Sequence, residues 1–194
     1  MSQTMTTTTP NTMTSPLFST DYHVYINHTD AGGIVYHANH LVFFENCRRD
    51  WFTKLGLSGY FMHSDTGQVQ HFVVSQAQLK YKKAILLDET IDVRIDNVEL
   101  KPASIVFYQS IHRRLPTDTD TNHPPLQHTL LSSGKIVIAC VQNQIKPEPS
   151  STDGFSTQAA TAPMQPIRVP EALHNTIQQA ITQHSHNSDL YSQS

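Results

Sequence analysis

His28-Thr29-Asp30-Ala31-Gly32-Gly33-Ile34-Val35-Tyr36-His37-Ala38-Asn39-His40 is the stretch on which the fold turns. It opens on polar, turn-forming residues, and its two adjacent glycines permit positive φ. From residue 40 to 55 the pattern changes: Leu41, Phe44, Arg48, Trp51, Phe52 and Leu55 recur at spacings of three and four, the period of one helix face. Phe43 and Cys47 widen that stripe, so the helix is expected to be largely buried. Asn39 or His37 suits its start, and Gly56 suits its stop. Before the turn, residues 21–27 set Tyr22, Val24 and Ile26 on one face and His23, Tyr25 and Asn27 on the other, which predicts a strand.

Beyond the helix and a short irregular segment, the chain reads as strands over 71–85, 90–100, 104–113 and 130–142. The clearest is the run Ile91, Val93, Ile95, Val98, with polar residues between. Residues 115–125 are polar and rich in Pro, Thr and Asp, which predicts a long exposed hairpin loop. Strands joined by turns favour an antiparallel sheet, and a single long helix must cover one face of it. The expected class is α+β, one helix against five antiparallel strands.

The 194 residues are 38% hydrophobic, below the ~45–50% of an ordinary domain. The deficit lies at the ends, where Thr, Ser, Asn, Gln and Pro offer too little apolar surface to offset the entropy of ordering. The expected organisation is a disordered polar N-terminal tail (1–17), one domain (18–146), and a Pro/Ser/Thr/Gln-rich linker and tail (147–194). Within that tail Leu173, Ile177 and Ile181 predict a short amphipathic helix over 170–184. Thirteen Lys+Arg against sixteen Asp+Glu give a net charge of −3, so no global field draws nucleic acid. Cys47 and Cys140 match no metal or redox spacing. The first residues do not read as a secretory signal, and no apolar run approaches the ~18 residues of a membrane span. The chain is expected to be cytoplasmic and not membrane-spanning.

Chemistry concentrates in the opening stretch. A carboxylate, Asp30, is set beside a glycine turn and the start of a buried helix. A helix N-terminus presents unpaired N–H groups and the positive end of the macrodipole, which would polarise a docked carbonyl and stabilise the charge developing on it. A nearby carboxylate can attack the carbonyl carbon or activate water. No Gly-x-Ser-x-Gly elbow is present, so serine hydrolysis has no support. On spacing alone Asp30 reads equally as a turn residue capping the helix. His37 and His40, three apart, invite a metal reading with His28 or Asp30. Lys80, Lys82 and Lys83 read either as a site for a phosphate-bearing handle or as a solvated sheet edge. Glu45 reads as structural, and Cys47 as core packing.

The run Thr29-Asp30-Ala31-Gly32-Gly33-Ile34-Val35-Tyr36-His37 resembles the signature of the 4-hydroxybenzoyl-CoA thioesterase family, most closely its YbgC-like branch. The likeness continues through Phe44-Glu45-Asn46-Cys47-Arg48 to Trp51, and through Phe72-Val73-Val74 to Leu87-Asp88. It implies the hotdog fold, one long helix wrapped by an antiparallel sheet, assembled as homodimers or homotetramers. It implies an acyl-CoA thioester hydrolase, with acyl carrier protein open as an alternative thioester carrier. Asp30 takes the place of the catalytic nucleophile or general base, and the polarising amide falls at or near His37, whose side chain is also a catalytic candidate. Tyr36 would line the substrate pocket, and Lys82 and Lys83 would meet the phosphates of coenzyme A. No metal or other cofactor is implied. Two departures stand out: His28 replaces a residue that is often acidic or polar, and Tyr81-Lys82-Lys83-Ala84-Ile85 lacks the family's proline. A catalytically silent acyl-CoA-binding or scaffold protein is the alternative, and a hotdog enoyl-thioester hydratase a further one.

Overall fold

In the computed structural model, which describes residues 15–57, 61–63, 69–113, 129–143 and 164–191, the expected helix runs Asn39–Lys54 (α1). It begins after Ala38 with no side-chain cap. It ends where Gly56 takes φ +72°, a left-handed conformation that costs a glycine nothing. The strands are Phe18–His23 (β1), Phe61–His63 (β2), Val69–Tyr81 (β3), Thr90–Lys101 (β4), Ser104–Arg113 (β5), Thr129–Asn143 (β6) and Met164–Pro166 (β7). They form one antiparallel sheet in the order β1-β4-β5-β6-β3-β2, with β7 added to β6. The five expected strands are thus joined by two of three residues each. The expected hairpin loop at 115–125, residues 1–14 and residues 144–163 lie outside the described residues.

The first strand corrects the reading of 21–27. β1 pairs Phe18 with Ile95 and ends with His23 opposite Thr90. A 3-10 turn then occupies Ile26–His28. Val24 is fully buried, but Ile26 is 73% exposed, so the alternation stops where the chain runs off the end of β4. Val24 is fixed there by its N–H donating to Glu89 O and its carbonyl accepting from Asp88 N–H.

The core lies between α1 and one face of the sheet. Phe43, Phe44, Cys47, Trp51 and Phe52 pack on Ile91, Val93 and Ile95 of β4, Ile105, Phe107 and Ile111 of β5, and Ile136, Ile138 and Cys140 of β6. Each such side chain is worth about 1.5–3 kcal/mol of burial. Gly134 lies under the helix, and an added Cβ there would stand 2.9 Å from both Phe44 Cε2 and Ile136 Cδ1. Arg48, on the buried face as its spacing predicted, is 1% exposed. Its NH1 donates to Gln109 Oε1 at 2.7 Å, and Gln109 Nε2 donates in turn to Phe44 O at 3.0 Å. Its guanidinium lies over the Phe107 ring, 5.7 Å from the centroid.

The C-terminal segment is more than a tail with a short helix. Ile167 N–H donates to Cys140 O and Val169 N–H to Pro102 O, which brings the chain to a 21-residue helix, Glu171–Tyr191 (α2). Val169, Leu173 and Ile177 are buried in the same core cluster, with Ile181 packed against it. Within α2, spacing by four makes Leu173, Ile177 and Ile181 one stripe. The hydrophobic domain therefore does not stop at residue 146, since residues 164–181 contribute to it.

Candidate active site

The turn from Thr29 to Val35 is a small hairpin. Thr29 and Val35 bridge, Asp30 N–H donates to Ile34 O, and Gly33 N–H donates back to Asp30 O. Gly33 sits at φ +72°, a position that resists side chains. Asp30 Oδ1 accepts the Gly32 N–H at 2.8 Å, an Asx turn. The other carboxylate oxygen has no protein hydrogen-bond partner among the described residues. The hairpin is pinned from the far side by Val35 N–H to Ile85 O and Leu87 N–H to Gly33 O.

His28 holds the opposite flank. Its carbonyl accepts Tyr36 N–H at 3.0 Å and Asn39 Nδ2 at 2.7 Å, tying the helix start to the turn. Its ring accepts Tyr25 N–H at Nδ1 and packs edge-on against Phe43. Burial, then the charge of His23, lowers its pKa. The residue that departs from the family pattern is thus a scaffold for the loop. The missing proline falls on Ala84, whose carbonyl accepts Arg113 NH2 at 2.8 Å.

These elements enclose a cavity of about 350 Å³ lined by Asp30, His37, His40, Tyr81, Lys82 and Lys83 over apolar Val35 and Ile85. Four of the five residues singled out from sequence therefore meet there. The fifth, Tyr36, is 46% exposed and is not one of the lining residues. Its ring stands 4.3 Å from that of His37. At the helix start Tyr36 and Asn39 N–H groups are taken, whereas His37 N–H has no backbone acceptor among the described residues. The His37 carbonyl accepts the Tyr81 hydroxyl at 3.2 Å, which ties the end of β3 to that peptide. Lys82 and Lys83 N–H both donate to Leu131 O, so their exposed side chains leave the sheet at the cavity wall. Lys80 lies back on β3 and Glu45 stands 4.0 Å from Arg48 NH2; neither lines the cavity. Cys47 is buried, its Sγ donating to Val93 O, and its thiol is pushed up by burial.

Sequence reading missed the place of Tyr81 and His40. Tyr81 enters the sequence reading only through a strand pattern and the family segment that lacks its proline, and His40 only as a partner in a metal reading. His40 is 4% exposed, its Nδ1 lies 3.0 Å from Ser132 Oγ, and its ring meets Tyr81 edge-on at 4.9 Å. Burial, then the neighbouring charge of His37, lowers its pKa to about 4. The partner Ser132 is 92 residues away, a separation no local pattern reveals.

Residues 32–117 match the family model described as the Thioesterase superfamily. The acyl-CoA thioesterase YbgC of Haemophilus influenzae is 32% identical over 131 residues, 67% of this chain and 85% of that relative. The chain belongs to the thioesterase superfamily. This superfamily member is also 26% identical over 129 residues to the acyl-CoA thioester hydrolase YbgC of Escherichia coli O6:H1, covering 66% of this chain and 85% of the relative. Among solved structures it is similar to the 4-hydroxybenzoyl CoA thioesterase from Pseudomonas sp. strain CBS-3, with TM-score 0.57 and 13% identity over 82% of this chain and 97% of that one. A probable thioesterase from Bartonella henselae gives TM-score 0.53 and 23% identity over 69% and 98%. At such identities the likeness establishes the fold, the α+β arrangement expected from the residues and the hotdog implied by the family resemblance. Family membership makes the thioesterase an enzyme of the thioester-hydrolase class.

Proposed function

We propose that this protein hydrolyses acyl-CoA thioesters to the free acid and coenzyme A, with Asp30 as nucleophile or general base. The observation that carries this reading is one cavity holding both the Asp30 carboxylate, one oxygen unengaged, and a helix start whose His37 N–H has no backbone partner. The thioester carbonyl oxygen docks at the helix start, where the N–H and the macrodipole stabilise the oxyanion. The free Asp30 oxygen either attacks the carbonyl carbon, giving a mixed anhydride that water then hydrolyses to the free acid, or takes a proton from an attacking water. The C–S bond breaks with its electron pair on sulfur. A thiol of ordinary pKa, about 8.5, leaves as thiolate without an acid. The His37 ring, backed by Tyr36, flanks the reacting group, and Lys82 and Lys83 meet the phosphates of coenzyme A or of an acyl carrier protein's phosphopantetheine.

A second copy of the chain completes the site as a homodimer or a homotetramer. β2 covers β3 only from Val69 to His71. The rest of that edge, on which Val74 and Tyr81 are half exposed, is what a partner would bury. No helix of the described residues is long and apolar enough to cross a membrane, and a cytoplasmic location follows from the substrate. The test is thiol release from short, long and aromatic acyl-CoAs by wild type and Asp30→Asn. Release by wild type with loss of at least a hundredfold in the variant, at unchanged Tm, is the expected result. Equal release by the variant would overturn the role of Asp30, and no release by wild type would overturn the activity.

A further inference from the structure

His40 lines the cavity, yet the reaction as written gives it no part. We propose that His40 is a catalytic residue whose Nε2–H donates a hydrogen bond to the carbonyl oxygen of the bound thioester, beside the His37 N–H; this rests on the thioesterase reading above.

The tautomer follows from hydrogen-bond satisfaction. Ser132 is fully buried on β6, and the sole partner of its hydroxyl among the described residues is His40 Nδ1, 3.0 Å away. If Nδ1 carried the proton, the Ser132 O–H would be buried with no acceptor, at a cost of about 1–3 kcal/mol. The hydroxyl therefore donates to Nδ1, and the ring's single proton sits on Nε2. Nε2 has no protein partner among the described residues, although the side chain is 4% exposed. Nε2 is not among the buried atoms left without a partner, so this donor opens onto space outside the protein, and the cavity is the space that His40 lines.

Position and charge agree with an acceptor on the reacting carbonyl. His40 is the second residue of α1, and side chains on a helix lean toward its N-terminus, here the unpaired His37 amide. The Tyr81 ring holds the imidazole edge-on at 4.9 Å, so the donor is preorganised. The groups sharing the cavity are Asp30, His37, Lys82 and Lys83. Burial first, then His37, holds the ring neutral down to about pH 4. A neutral donor serves an oxyanion without forming an ion pair with Asp30. Ser132 is the positioning residue, since it acts only through the ring.

The test combines ring ¹⁵N–¹H spectra of histidine-labelled full-length protein with thiol release. The His40 signals are identified by their loss in His40→Phe. We expect an Nε2–H tautomer that does not titrate between pH 8 and pH 5. In His40→Phe, kcat should fall about a hundredfold, as for loss of one oxyanion donor, with KM changed less than threefold. Ser132→Ala leaves the ring in place and frees its tautomer, and should lower kcat about fivefold, the bias of one ordinary hydrogen bond. This variant guards against a His40→Phe that fails to fold. An Nδ1–H tautomer, titration near pH 6.5, or wild-type kcat in Ser132→Ala would overturn the proposal. Those results differ from an inactive wild type, which would overturn the thioesterase reading itself.

Discussion

Replacing Gly134 with Ala probes how closely α1 sits on the sheet. The new Cβ would lie 2.9 Å from Phe44 Cε2 and 2.9 Å from Ile136 Cδ1, well inside the 3.5–4.0 Å of carbon–carbon contact. Phe44 is fully buried, so its ring has nowhere free to turn. Overpacking of this kind costs about 1–3 kcal/mol. Against it stands the gain of about 0.5–1 kcal/mol for removing a glycine from a strand interior. The net expectation is a loss of about 1–2 kcal/mol. The assay is urea unfolding followed by fluorescence of the single tryptophan, Trp51, which is 3% exposed. The midpoint should fall with no change in m. Phe44→Leu should cost stability alone but relieve Gly134→Ala, with a coupling of about 0.5–3 kcal/mol in the double-mutant cycle. A Gly134→Ala protein as stable as wild type, or two effects that simply add, would refute the close approach.

Stability should also report His40. Below pH ~6.5 the unfolded chain protonates this histidine, whereas the native ring resists down to about 4. The unfolded state thus binds more protons, and stability falls as pH drops from about 6.5 to 4, by up to about 3 kcal/mol from this group; His40→Phe should flatten that slope in denaturant titrations at pH 7.5 and 4.5. Ile177→Ala, at a fully buried position of α2, should lower stability by about 2–5 kcal/mol, and a change under 0.5 kcal/mol would mean the helix does not dock. Lys82→Ala with Lys83→Ala should raise KM for acyl-CoA severalfold, more at low salt than high, while kcat holds; an unchanged KM would remove both lysines from substrate binding.

The residues themselves carried the element order. The switch from period two at Tyr22 and Val24 to period three-and-four from Leu41 to Leu55 marks the helix, and Gly56 marks its end, because side-chain period is a local property of the backbone. The run from Thr29 to His37 likewise held the family likeness and pointed to Asp30 and His37. Local pattern misjudged 21–27, because the strand's end is set by where β4 stops, not by its own alternation. It also cut the domain at 146, since composition of the polar linker does not say whether the stripe Leu173, Ile177, Ile181 has a surface to bury against. The same limit applies inside the site. A histidine three residues after His37 invites, from its spacing, only a metal reading. Its burial, its neutral ring and its proton on Nε2 depend on Ser132 and Tyr81, 92 and 41 residues further along the chain. Side-chain chemistry and period are written in sequence, whereas desolvation and hydrogen-bond partners are created only when the sheet brings distant strands beneath the helix start.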